Sequence, residues 1–210
     1  MRRETALKII GLMRMRGDEG FTILQISKDL SIGYRPAYMH VLALQKEGVL
    51  TVKKVGGAKV CVLHLENQRC CQLLQEVDLQ RKELLFQKNI KIKQVLEKLI
   101  LQLTEKCIAD IHSIVLFGSY VKGTQRKASD VDILFLVSDL KKKEVREEIE
   151  RTCVSYQYSH NIKISPLVAD IVEFKKMLKQ KEMNVGKEAK EYGISLYGSE
   201  IFWRLIAWQE

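Results

Sequence analysis

Between residues 116 and 135 the chain reads Leu116-Phe117-Gly118-Ser119-Tyr120-Val121-Lys122-Gly123, crosses a polar turn, and resumes as Ser129-Asp130-Val131-Asp132-Ile133-Leu134-Phe135. An apolar run that stops at Gly-Ser turns there, because glycine reaches backbone conformations closed to other residues. The next apolar run opens with two aspartates one residue apart. Side chains alternate faces along a strand, so Asp130 and Asp132 share a face while Val131 points the other way. Two carboxylates facing inward between apolar runs are expensive unless a cation meets them. This stretch therefore prescribes strand, tight turn and strand, with both acids aimed at one point.

The chemistry of such a point is narrow. A hard divalent cation, Mg²⁺ or Mn²⁺, takes a few carboxylate oxygens and leaves its other positions to water and substrate phosphates. Glycine lets the backbone approach a phosphate closely, and the N–H groups and Ser119 hydroxyl can donate to its oxygens. A metal seat beside phosphate donors is the apparatus of phosphoryl or nucleotidyl transfer.

At these residues the sequence resembles the nucleotidyltransferase superfamily of DNA polymerase beta type, in particular its minimal nucleotidyltransferase domains. Their pattern is Gly-Ser, a short helix, then Asp-x-Asp on the next strand; Gly118, Ser119, Asp130 and Asp132 fall on it, and Gly123 and Ser129 match accessory positions. The resemblance implies metal-dependent transfer of a nucleoside monophosphate from a nucleoside triphosphate to a hydroxyl acceptor. By it, Asp130 and Asp132 are the catalytic, metal-binding pair, Gly118 and Ser119 grip the β- and γ-phosphates, and Lys122 binds the nucleotide, with Arg126 a second electrostatic helper. Minimal members often act as antitoxins that adenylylate a partner toxin, which implies a protein acceptor. Small-molecule hydroxyls, such as those of aminoglycosides, are the other family precedent, and the sequence does not choose between them.

The rest of this half reads as a mixed sheet flanked by helices, with strands at 111–117, 131–137 and 162–169 and a charged amphipathic helix at 141–156. Active members of the superfamily commonly carry a third carboxylate on the third strand. Here 161–168 holds no acid, and the first one, Asp170, comes at the end of the run with Glu173 three residues later. That spacing fits a capping box for the next helix, so Asp170 stands as a helix cap or, alternatively, as a catalytic acid. Without a third acid, the alternative function is a nucleotide-responsive transcription regulator whose transferase domain is catalytically degenerate.

Net charge is +9, and residues 1–65 carry 11 Lys and Arg against 5 Asp and Glu, so most of the excess lies in the first third. Clustered positive charge implies polyanion attraction. Apolar residues recur at helical spacing over 5–15, a second helix starts near Thr22, and a third opens with Pro36 in its first turn, burying Ala37, Val41 and Leu44 and ending near Gly48. A two-stranded ribbon at 49–52 and 59–63, with a turn at 53–57, closes the segment. Three helices and a basic hairpin resemble a winged helix-turn-helix, which implies binding to double-stranded DNA: Arg35, Tyr38 and Met39 toward the major groove, Lys53, Lys54 and Lys59 on the backbone. Winged helices also serve as protein-docking or dimerisation modules.

Residues 67–106 contain neither proline nor glycine and repeat apolar residues at three- and four-residue steps, giving two helices or one broken helix. A self-pairing seam that makes a homodimer is the alternative use of this stretch. The expected organisation is α+β: an N-terminal winged helix-turn-helix (1–66), a helical linker (67–85) and a C-terminal nucleotidyltransferase-fold domain (86–210). No run approaches the length needed to cross a bilayer, and five cysteines without C-x-x-C spacing read as reduced packing thiols, so no membrane partner and a cytoplasmic location are expected.

Overall fold

A computed structural model describes residues 3–126 and 129–208; Lys127 and Ala128 of the polar turn lie outside the described residues. The chain divides into two units, Met1–Val77 and Asp78–Glu210.

In the first unit, α1 (Arg3–Arg14) buries Ala6, Ile9, Ile10 and Met13, the face marked by the sequence periodicity. Gly20, at φ 64, then delivers β1 (Phe21–Thr22) against the hairpin, and a Cβ there would collide with the Cys61 carbonyl oxygen. Helix α2 (Ile23–Asp29) is started by a capping box: the Thr22 N–H donates to Gln25 Oε1 at 2.8 Å and the Gln25 N–H to Thr22 Oγ1 at 3.2 Å. Such a cap contributes about 1 kcal/mol. Helix α3 (Tyr34–Lys46) buries Ala37, Val41 and Leu44, as its spacing requires.

Strands β2 (Leu50–Val55) and β3 (Ala58–Leu63) pair antiparallel, and β1 joins β3, giving the order β1-β3-β2. The reversal is tighter than the expected 53–57 turn. Lys53 pairs with Val60 and Lys54 with Lys59, leaving Gly56-Gly57 as the two-residue loop. Gly56, at φ 59, takes the positive backbone angle that such a loop requires, and the strands run on to meet it. The two-residue β1 was invisible in sequence because it is too short to alternate.

Helices α4 (Gln68–Lys88) and α5 (Ile90–Cys107) are separate, broken at Asn89, whose side chain donates to the Leu85 carbonyl at 3.0 Å. The boundary between the two units falls within α4, among the residues expected to link the domains.

The second unit is built on a four-stranded mixed sheet of order β6-β5-β4-β7. Its members are β4 (Ile111–Phe117), β5 (Val131–Val137), β6 (Ile164–Asp170) and β7 (Ile194–Tyr197). β4 is antiparallel to β5 and β7, while β5 and β6 are parallel. A parallel pair needs a long crossover, supplied by α7 (Lys143–His160). One sheet face, carrying Val131, Ile133, Phe135 and Val137, packs with α5 and α7 in a continuous core. On the other lie Leu134 and Leu136, covered by α8 (Ile171–Lys179) and α10 (Ser199–Ala207), whose Phe174, Phe202 and Trp203 form an aromatic cluster. Asp130 and Asp132 share the parity of this second face and lie at its end.

The fold is thus α+β, with a mixed sheet and flanking helices. All five cysteines are reduced and buried, and burial pushes the Cys70 and Cys153 thiols up to about 12. No helix among the described residues is long and apolar enough to cross a membrane.

Trp203 is nearly fully buried, and its indole N–H donates to Asp78 Oδ2 at 2.9 Å. Asp78→Ala removes that buried acceptor, so urea melts are expected to show a loss of about 1–3 kcal/mol.

Candidate active site

Strand β4 ends at Phe117, which pairs with Asp132 across the sheet. Gly118 then turns the chain at φ 75, and a Cβ on it would overlap the Asp132 carboxylate. Both the backbone conformation and the close approach demand glycine here. The short helix α6 (Ser119–Lys122) follows and stops at Gly123, whose φ of 70 is left-handed. Beyond it, the Arg126 N–H donates to Ser129 Oγ at 2.8 Å, just ahead of the acids. Gly118, Ser119, Asp130 and Asp132 are therefore brought together by the β4–β5 register.

The electrostatics of the pair are unbalanced. Asp130 is 29% exposed, and its Oδ2 accepts from Lys163 Nζ at 2.5 Å. Asp132 is half-buried; burial first, then the charges of Asp130 and Glu188, push its carboxyl above the usual range, with Lys163 partly opposing them. Negative charge is thus crowded where it is poorly solvated. An added cation would relieve that crowding, and two carboxylates in a partly open setting fit a hard divalent ion that keeps positions for other ligands. No group of three or more His, Cys, Asp or Glu among the described residues is arranged as a metal site by itself.

Strand β6 places Ser165, not an acid, opposite Asp132. Asp170 pairs with Val137, five residues further along and so roughly 17 Å away at the rise of a strand. There its Oδ1 accepts from the Glu173 N–H at 2.8 Å, capping α8. Of its two readings, the cap is the one the geometry supports. The acid that does approach the pair, Glu188, comes from α9 (Val185–Glu191). It binds Lys122 Nζ at 2.7 Å, and the same ammonium lies 5.3 Å from the Tyr192 ring centroid. Neither Glu188 nor Lys163 stood out in sequence. Lys163 had a usable signal, since a base at the start of a strand parallel to β5 falls beside the acids that open β5; Glu188, some 56 residues from Asp132, had none.

In the first unit, Arg35, Tyr38 and Met39 are exposed on α3, and Tyr38 stacks on Tyr34 with centroids 6.4 Å apart. Lys53, Lys54 and Lys59 are exposed on the hairpin, with Lys54 and Lys59 directly opposite each other.

The sequence profile described as "Nucleotidyltransferase domain" matches residues 96–194, a span that holds the turn, both acids and Glu188. A Methanocaldococcus jannaschii protein named "Putative protein adenylyltransferase MJ0141" is 30% identical over 83 residues, covering 40% of this chain and 76% of that protein. The chain belongs to the nucleotidyltransferase domain family. A second protein of the same organism, "Putative protein adenylyltransferase MJ1305", is 33% identical over 81 residues, 38% of this chain, and the match spans only 55% of its length. Among solved structures, one titled "Crystal structure of the toxin-antitoxin with AMP-PNP" overlays with a TM-score of 0.34 and 25% identity, over 53% of this chain and 84% of that one.

A carboxyl whose pKa is raised in the folded protein costs stability above its folded pKa, and that cost fades as pH falls from the folded value to the unfolded one and is gone below it. In EDTA, Asp132→Asn is therefore expected to raise Tm by a few degrees near neutral pH, with the gain shrinking toward mildly acidic pH. Thermal melts across that range check the sign.

Proposed function

We propose that this nucleotidyltransferase is a metal-dependent protein adenylyltransferase, moving AMP from ATP to a hydroxyl of a protein acceptor. The observation that carries the reading is the seating of Gly118 on the half-buried Asp132 carboxylate, beside Asp130. It supports a phosphate-binding turn and a cation seat in one place. The acceptor class is supported by the printed names of the two archaeal relatives, and an antitoxin-like role, with a toxin as acceptor, follows the resemblance drawn from the motif.

In this mechanism the backbone N–H groups of the Gly118–Ser119 turn and the Ser119 hydroxyl donate to the β- and γ-phosphates. Asp130 and Asp132 would hold Mg²⁺ or Mn²⁺, which when bound neutralises charge developing on the phosphates. Lys122 adds a fixed positive charge. The acceptor oxygen attacks the α-phosphorus, the bond to the β-phosphate oxygen breaks, and pyrophosphate leaves in line while the hydroxyl proton passes to solvent or a neighbouring base.

The first unit reads as a winged helix-turn-helix. Its element order and small antiparallel sheet support this, as does the pairing of Lys54 with Lys59. Like charges directly opposite on a ribbon are unfavourable, and a phosphate backbone would offset that. In this reading 1–66 binds double-stranded DNA, 67–85 connects, and 86–210 carries the transferase.

A second reading keeps nucleotide binding but removes chemistry, leaving a ligand-responsive regulator; Ser165 opposite Asp132, where an acid is usual, favours it. The two part on incubation with α-labelled ATP, Mg²⁺ and cell extract. Label transferred to a protein band and reduced at least about 100-fold by Asp130→Asn, with folding intact, is the expected outcome. Nucleotide binding with no label on any acceptor would instead establish the regulator. For the first unit, Lys53→Ala with Lys54→Ala is expected to weaken duplex binding on every DNA sequence and to lower the salt slope by about 2. Unchanged binding in fluorescence anisotropy would remove the wing assignment.

A further inference from the structure

Helix α6 is a single turn, too short to hold a long side chain by its own packing. Yet Lys122, at its end, is engaged from two sides by α9 and the residue that follows it. Glu188 accepts from its ammonium at 2.7 Å, and the Tyr192 ring lies beneath it at 5.3 Å. The Tyr192 segment is itself anchored: Arg81 donates to the carbonyls of Tyr192 at 2.6 Å and of Gly193 at 2.9 Å. At the other end of α9, Asn184 Oδ1 accepts from the Lys187 N–H at 3.1 Å and fixes the helix start. The Lys122 side chain remains 40% exposed while Glu188 is 22% exposed, so the ammonium keeps donor capacity on its open side.

We propose that Glu188 and Tyr192 form a clamp that holds the Lys122 ammonium ready for the triphosphate at the Gly118–Ser119 turn, making Glu188 a positioning residue rather than a third catalytic acid. The inference rests on the reading of that turn as a triphosphate seat. A partly exposed ion pair contributes little to stability; its effect here is on orientation. An ammonium has three donors, so one bond to Glu188 leaves two for phosphate oxygens. Lysine otherwise loses much rotamer freedom when it grips a ligand, and fixing it beforehand lowers that cost.

The test is calorimetric titration of the full chain with AMP-PNP and Mg²⁺, alongside Lys122→Met, Glu188→Gln, the double variant, and the charge swap Lys122→Glu with Glu188→Lys. Thermal melting verifies that each is folded. Wild type is expected to bind; Lys122→Met and Glu188→Gln each weaken binding about tenfold, and the double variant is no weaker than either alone. The swap rebuilds the ion pair in a folded protein but does not restore the affinity, whereas a purely structural bridge would restore it. If wild type does not bind, the triphosphate seat itself falls. If wild type binds while Glu188→Gln matches it, or the two single losses multiply in the double variant, the seat stands and the clamp is overturned.

Discussion

Everything at the proposed site depends on the Gly118 backbone lying directly against the Asp132 carboxylate. The contact requires that residue 118 carry no side chain, that its φ be positive, and that Phe117 and Asp132 be partners across β4 and β5. Once it is made, the start of α6 and the two acids are held together, because α6 follows directly on β4 and the acids stand at the start of β5, and both strands are almost wholly buried. Helices pack on either face of β5, so the strand has no freedom to slip register without moving its apolar residues out of the core.

That rigidity has an electrostatic cost. Asp132 is crowded by burial, Asp130 and Glu188, while Lys163 and Lys122 set positive charge against the group. Acids whose ionised form is disfavoured in the resting fold are a recurrent mark of functional sites, since a ligand can release what the fold holds under strain. Here one lysine directly precedes β6, the other ends α6, and each already has one carboxylate partner. Three carboxylates thus face two lysines among the named residues, with Asp132 the least compensated member.

Much of this was legible in residue order alone. The Gly118-Ser119 turn, the alternation that puts Asp130 and Asp132 on one face, and the apolar runs of β4 and β5 all follow from local rules with periods of two residues. So did the buried faces of α1 and α3 and the exposure of Arg35, Tyr38 and Met39, where a helical period leaves little choice. Asp170 followed the same logic: its spacing to Glu173 marked a cap, and a cap is what the backbone N–H bond makes it. Less was visible where elements are short or partners distant. β1 has two residues and no pattern to detect, and the hairpin turn is shorter than expected because strand pairing continues through Lys53 and Lys54.

The sequence by itself determined that a glycine turn would stand beside two acids sharing one strand face, because the identity and spacing of those residues are local facts fixed by backbone geometry. Only the tertiary structure decided who else joins them. Lys163 reaches Asp130 because β6 runs parallel to β5, and Glu188 reaches Lys122 because α9 packs against β4. The first relation can be read only once the strands are known to be parallel, and the second leaves no trace in nearby sequence, since a long-range contact depends on how sheets and helices close upon one core.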